Sequence, residues 1–186
     1  MSARAGFAVL GSMPMKTRAF IISLFMIVLA PMALAADGLR ALQSLKDART
    51  LDVSAKQFDA ASVKDKPVVV AFFTSWCPPC TNEFDEMAKV QAAIADRSVT
   101  FIGINLFEAW GGEKDAARMA RFIARTRPDF ALIEGSPEIS AAFGTINRIP
   151  TVAVFGADGR ETWRFVHERG AAKTYATGDE IIKALQ

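Results

Sequence analysis

The stretch KPVVVAFF, residues 66–73, holds a continuous apolar run rich in β-branched side chains. A strand with one face in water alternates polar and apolar residues, and this one does not. It must be covered on both faces, which requires an α/β sheet with helices packed on either side. The chain then turns through TSWCPPC into a segment with Phe84, Met87, Ala88, Val90, Gln91 and Ile94 at helical spacing, which predicts a helix over 78–95. Both cysteines of the chain, Cys77 and Cys80, therefore stand where a buried strand gives way to a helix.

The alternation continues downstream. SVTFIGINLF (98–107) reads as a second buried strand, broken by EAWGG. Residues 113–127 read as a helix, with Met119, Phe122 and Ile123 on one side and Pro128 as its stop. DFALIEG (129–135) is a short strand. Ser136 is a good helix cap, followed by Pro137 at the first helical position and Glu138 in the first turn, with an end near Gly144. TVAVFGADGRETWRFV (151–166) predicts a hairpin turned at Asp158-Gly159, and Thr177-Gly178-Asp179 opens a last helix to Leu185. Ahead of all this, a helical start over 38–47 and a short strand near 51–53 are expected. Parallel strands with crossover helices, then an antiparallel hairpin, give a mixed sheet in a single domain.

Two cysteines separated by two prolines could be a staple, a metal clip or a redox device. A staple across so short a loop removes little chain entropy, and a chain of this size does not need one. Structural zinc needs four ligands, and beyond the two cysteines the chain offers a single histidine, His167. Redox chemistry is what the position favours. The first-turn N–H groups lack intrahelical partners and the helix dipole is positive there, so a Cys77 thiolate is stabilised. Pro78 and Pro79 fit a first turn, whose N–H groups would be orphans anyway. Cys80, one turn on, can reach Cys77 to close a disulfide or to resolve a mixed one.

Charge adds an address. The first 35 residues carry Arg4, Lys16 and Arg18 and no acid, whereas the other 151 hold 19 basic and 20 acidic residues. The latter balance leaves no basic field for nucleic acid. Lys16 and Arg18 precede the apolar run Ala19–Ala30, Pro31 breaks it, and Ala33-Leu34-Ala35 supplies a small-x-small site. Residues 1–35 thus read as a secretory signal peptide cleaved after Ala35, with Met13 or Met15 as alternative starts and a retained membrane anchor as the competing reading. The mature domain is 36–186, and the expected location is the periplasm, where cysteine pairs oxidise.

FFTSWCPPC, followed about 70 residues later by RIPTVAVFGADGRE, resembles thioredoxin-fold proteins, and more narrowly the TlpA/ResA-like group of exported thiol-disulfide oxidoreductases. The resemblance runs from about Lys66 to the C-terminus. It implies an α/β thioredoxin fold with helices on both faces of a mixed sheet and a mid-fold insertion, here residues 107–128. It implies that Cys77 is the nucleophile, Cys80 the resolving thiol and Pro150 a cis-proline. Trp76 matches the group's tryptophan before the first cysteine. Cis geometry would present the Ile149 backbone to an extended substrate segment. The group's helix acid falls on Glu83, and spacing places Glu83 on the same helical face as both cysteines, where a buried carboxylate could serve Cys80 as a proton relay.

The chain also departs from the pattern. Ala71 stands where cytoplasmic thioredoxins bury an aspartate, and Asp85 where the group often has a kinking proline, so a straighter helix is expected. The region before the first strand looks abbreviated. His167, without a partner cluster, reads as a surface residue. Trp163 and the phenylalanines read as core, and Trp110 more as core than as an exposed loop aromatic beside a substrate groove.

The expected function is reduction of disulfides in other exported proteins, as in cytochrome c or copper-site maturation. No metal or organic cofactor is needed, and the chain is expected to act as a monomer recharged by a membrane electron donor. The motif leaves direction open, so a disulfide-donating oxidase or isomerase is the alternative. A Cu(I)-handling protein using the two soft thiolates is the more remote one.

Overall fold

The computed structural model describes residues 40–110 and 112–186. The expected signal peptide lies outside the described residues. In the remainder, β1 (Val68–Phe73), α1 (Pro78–Ala93), β2 (Thr100–Asn105), α2 (Ala116–Thr126), β3 (Ala131–Glu134), α3 (Pro137–Ala142), β4 (Thr151–Phe155), β5 (Glu161–Val166) and α4 (Gly178–Ala184) follow the predicted order. They form one sheet with strand order β3-β2-β1-β4-β5. β1 pairs in parallel with β2 and β2 with β3, while β4 runs antiparallel to both β1 and β5. This is the thioredoxin fold the sequence implies.

All six residues of β1 are buried, as its unbroken apolar run requires. Alternate side chains feed two cores. Val69, Ala71 and Phe73 meet Phe84, Met87 and Val90 of α1, Met119 and Phe122 of α2, and Ile181 of α4. Val68, Val70 and Phe72 meet Ala41, Leu42 and Leu45 from the N-terminal segment, and Ile139 and Phe143. Of the predicted α1 positions, Ala88 is exposed instead, because the 100° step carries it off the buried stripe. Phe84 lies with its ring centroid 4.8 Å from Phe73, 5.0 Å from Phe122 and 5.2 Å from Phe130. This aromatic block fixes α1, and with it the cysteines, against the sheet. Gly103 of β2 lets the block close, since a Cβ there would stand 2.6 Å from Leu132 Cδ2.

The predicted helix starts at Ser136 and Thr177 are capped: Ser136 accepts from Ile139 N–H, and Thr177 with Glu180 forms a capping box. Asp115, which the sequence reading did not single out, caps α2 by accepting from Arg118 N–H. Gly159 adopts the φ of 74° that the hairpin turn needs. The short strand expected near 51–53 is displaced. Residues 49–51 instead pair with the free edge of β3, with Leu51 N–H donating to Leu132 and Glu134 N–H to Arg49. Val53 is 40% exposed. The helical start near 38–47 is described as helix over 40–43 only, and a 3-10 turn, Ala60–Val63, went unpredicted.

Candidate active site

β1 ends at Phe73, and a tight turn, residues 74–76, delivers Cys77 to the N-cap of α1. Cys77 Sγ accepts from Cys80 N–H at 3.2 Å, so the cap group is itself the sulfur. Pro78 and Pro79 fill the first helical positions. Cys77 and Cys80 form a disulfide with Cα atoms 5.3 Å apart. Their exposures differ: Cys77 is 5% accessible and Cys80 is fully buried. An incoming group meets Cys77 first.

Glu83 follows one turn after Cys80 and is almost fully buried. Its Oε2 accepts from Ala176 N–H at 2.8 Å, while Oε1 has no hydrogen-bond partner. Burial pushes its carboxyl up to about 8, a rise that the Ala176 bond opposes and the neighbouring Glu86 carboxylate reinforces. Ala71, fully buried in β1, offers no carboxylate of its own. Asp85 is exposed and α1 runs unbroken from Pro78 to Ala93.

The Ile149-Pro150 peptide bond is cis, and Pro150 is buried. His167 lies half-buried beside it, its main-chain N–H donating to the Pro150 carbonyl and its Nδ1 3.3 Å from the Ile149 carbonyl oxygen. The surface reading of His167 thus gives way to a residue that backs the proline loop. β5 ends next to that loop, a pairing across the sheet that local sequence does not show.

A groove of about 1260 Å³ adjoins the redox turn, lined by Trp76, Phe107, Trp110, Arg148, Ile149 and His167 among others; Cys77, Cys80, Glu83 and Pro150 do not line it. Trp110 is 74% exposed, with its ring 5.6 Å from that of Trp76. The expectation that Trp110 is core is therefore corrected. It follows a turn closed by Trp110 N–H to the Phe107 carbonyl, outside both cores.

Sequence reasoning missed Glu108, which is 6% exposed beneath the turn that carries Cys77. Its Oε2 accepts from Thr74 Oγ1 at 2.6 Å, Ser75 N–H at 2.9 Å and Asn105 Nδ2 at 3.0 Å, and its Oε1 from Ser75 Oγ. Burial pushes this carboxyl up, but the Ser75, Thr74 and Asn105 bonds outweigh it and hold the group below the usual carboxylate range. A signal existed in the sequence. Thr74 and Asn105 are polar residues at the ends of two otherwise apolar runs, and buried polar ends need a common partner. Among the described residues, no group of three or more His, Cys, Asp or Glu side chains could hold a metal ion.

The Redoxin family model matches residues 40–178. The soluble secreted antigen MPT53 of Mycobacterium tuberculosis is 31% identical over 120 residues, 64% of either chain, so the match spans just under two thirds of that relative. The thiol-disulfide oxidoreductase ResA of Bacillus subtilis is 29% identical over 58 residues, 31% of this chain and 32% of its own. Among solved structures, a secreted Mycobacterium tuberculosis disulfide oxidoreductase homologous to E. coli DsbE superposes with a TM-score of 0.56 at 27% identity, covering 74% of this chain and 91% of that one. A thiol:disulfide interchange protein from Chlorobium tepidum gives 0.55 at 30% identity, covering 73% and 88%.

Proposed function

We propose, for a chain that belongs to the Redoxin family and has TlpA/ResA-like thioredoxin-fold relatives, a thiol-disulfide oxidoreductase that reduces disulfides in other proteins. The observation that carries this reading is the asymmetric cysteine pair at the N-terminus of α1, with Cys77 partly open and Cys80 closed off. In the reduced form the Cys77 thiolate, favoured by the Cys80 N–H and by the dipole of α1, attacks one sulfur of a substrate disulfide. That S–S bond breaks, one substrate thiolate leaves, and a mixed disulfide forms through Cys77. Cys80 then loses its proton and attacks Cys77 Sγ, releasing the second substrate thiolate. Two electrons pass from the dithiol to the substrate, and the protein is left as the disulfide form seen here.

Glu83 is the proposed proton acceptor for Cys80. Its carboxyl, pushed up to about 8, is mostly protonated at neutral pH; in the ionised fraction it lies close to a thiol's ordinary value of about 8.5, so transfer from Cys80 is nearly level in free energy. The groove would receive an extended substrate segment against Trp76 and the Ile149-Pro150 loop.

The reading extends to address and partners. Residues 1–35 are proposed as a signal peptide cleaved after Ala35, which puts the domain in the periplasm. No helix of the described residues is long and apolar enough to cross a membrane. An exported reductase needs recharging, so a membrane electron donor is inferred, and proteins whose cysteines must be reduced before haem or copper insertion suit it as substrates. The test is turnover. With dithiothreitol as electron source, the mature chain should accelerate reduction of insulin disulfides, each event producing two substrate thiols. A rate equal to that of dithiothreitol alone would refute the reading.

A further inference from the structure

Two chain segments far apart in sequence are joined through one side chain beneath the site. The first is the turn 74–76 that precedes Cys77. The second is the loop 107–110, which follows β2 and forms one wall of the groove. β1 and β2 lie side by side and end in register, Phe73 opposite Asn105, so both segments leave the sheet at the same end, the carboxyl-terminal end of the two strands. Glu108 fills the gap between them and takes hydrogen bonds from Thr74, Ser75 and Asn105. Arg118 of α2 completes the cluster, with Nε donating to Ser75 Oγ at 3.1 Å and an NH2 group 3.6 Å from Glu108 Oε1. A second link runs in parallel, since Trp76 Nε1 donates to the Phe107 carbonyl at 3.1 Å.

Phe107 carries a signature of imposed geometry. Its φ is 60°, a left-handed conformation costly for a bulky side chain. Such a conformation persists only where its surroundings over-determine it, and here the residue sits between buried Leu106 and the anchored Glu108. The strain turns the chain so that Phe107 O faces Trp76 and the Trp110 ring faces outward, 6.4 Å from the Phe107 ring.

We propose that Glu108 is a positioning residue that ties the groove wall of residues 107–110 to the redox turn, so that a segment held against Trp76 and Trp110 presents its disulfide to Cys77. Glu108 lines the groove but is only 6% exposed, with its carboxylate oxygens taken up by the turn. It acts through Ser75 and Thr74 on the turn and through its own backbone on the wall. This inference rests on the reductase reading for its substrate, but the tie itself is independent of that reading.

Glu108→Ala takes the carboxylate acceptor from four donor groups on Thr74, Ser75 and Asn105, so Ser75→Ala, which removes one strap and keeps the carboxylate, serves as the milder variant. Both are compared with wild type by hydrogen exchange, by kcat/KM on insulin, and by the rate at which iodoacetamide alkylates Cys77 in the reduced protein. Exchange at 74–77 and at 107–110 should rise together in both variants while β1 and β2 stay protected. Insulin reduction should fall by roughly 10- to 100-fold in Glu108→Ala, because misplacement of bound substrate is what is lost, and by about 3-fold in Ser75→Ala. Iodoacetamide, too small to use the wall, should react within about 2-fold of the wild-type rate. Exchange rising in one segment alone, or in neither, would overturn the tie whatever the turnover. Alkylation and insulin reduction falling in parallel would overturn it too, by assigning Glu108 to the reactivity of Cys77. If Glu108→Ala does not fold, the same readouts on Ser75→Ala decide. Absence of wild-type turnover would strike the reductase reading alone and leave hydrogen exchange to judge the tie.

Discussion

Cys77→Ser should lose at least about 1000-fold in disulfide reduction, while Cys80→Ser should accumulate as a covalent complex with its substrate. The two cysteines differ because the fold treats them differently. Cys77 sits at the cap of α1 with a small exposed edge, and Cys80 sits inside the aromatic core with none. A serine at 77 removes the one sulfur a substrate can reach. A serine at 80 leaves the first attack intact and removes the group that resolves it, so the mixed disulfide through Cys77 persists. Non-reducing gel electrophoresis and intact mass measure both results. A Cys77→Ser variant that captured substrate through Cys80 would reverse the assignment.

Glu83→Gln should change how stability depends on pH. The folded carboxyl titrates near 8, far above its unfolded value near 4.5, because it is buried with one oxygen unpaired. The folded state therefore holds a proton that the unfolded state releases. The stability this confers is fully present below pH ~4.5 and is lost as pH rises through about 8, a fall of at most on the order of 5 kcal/mol. Glutamine does not titrate, so the variant should match wild type near pH 5 and exceed it by several kcal/mol at pH 9. Urea unfolding of the disulfide form at a series of pH values reads this directly. Parallel curves for the two proteins would mean that the carboxyl is not held protonated by the fold. The same variant should resolve mixed disulfides more slowly, since an amide cannot accept the Cys80 proton.

Much of this site could be read from the chain, and the reasons are local. The unbroken run of β1 demanded burial on both faces, and the sheet supplies it. Ser136-Pro137-Glu138 and Thr177-Gly178-Asp179 announced helix starts through capping chemistry that acts within a single turn. Glu83 was legible through the family resemblance, whose helix acid falls there, with helical spacing placing it on the same face as the cysteines. What escaped depends on pairings across the fold. Glu108 sits in a segment that reads as an ordinary polar loop, and its partners Thr74 and Ser75 are more than thirty residues away, brought near only by the register of β1 with β2. Trp110 resembles core by composition, yet the turn at Phe107 directs it outward. His167 looked isolated because its neighbour is the cis-proline loop on another strand. The edge pairing of residues 49–51 with β3 was not foreseen, only a short strand near 51–53, since an isolated bridge leaves almost no periodic pattern.

Helix position, burial and the buried acid all bear on one quantity, the free energy of the Cys77–Cys80 couple. Its reduction potential, taken by equilibrating the mature chain against a graded dithiothreitol series, tests the reductase reading most directly. A value below about −200 mV is expected, with Cys77–Cys80 able to pass electrons to the disulfides of exported proteins. A value near −120 mV would contradict it and make the protein a disulfide donor.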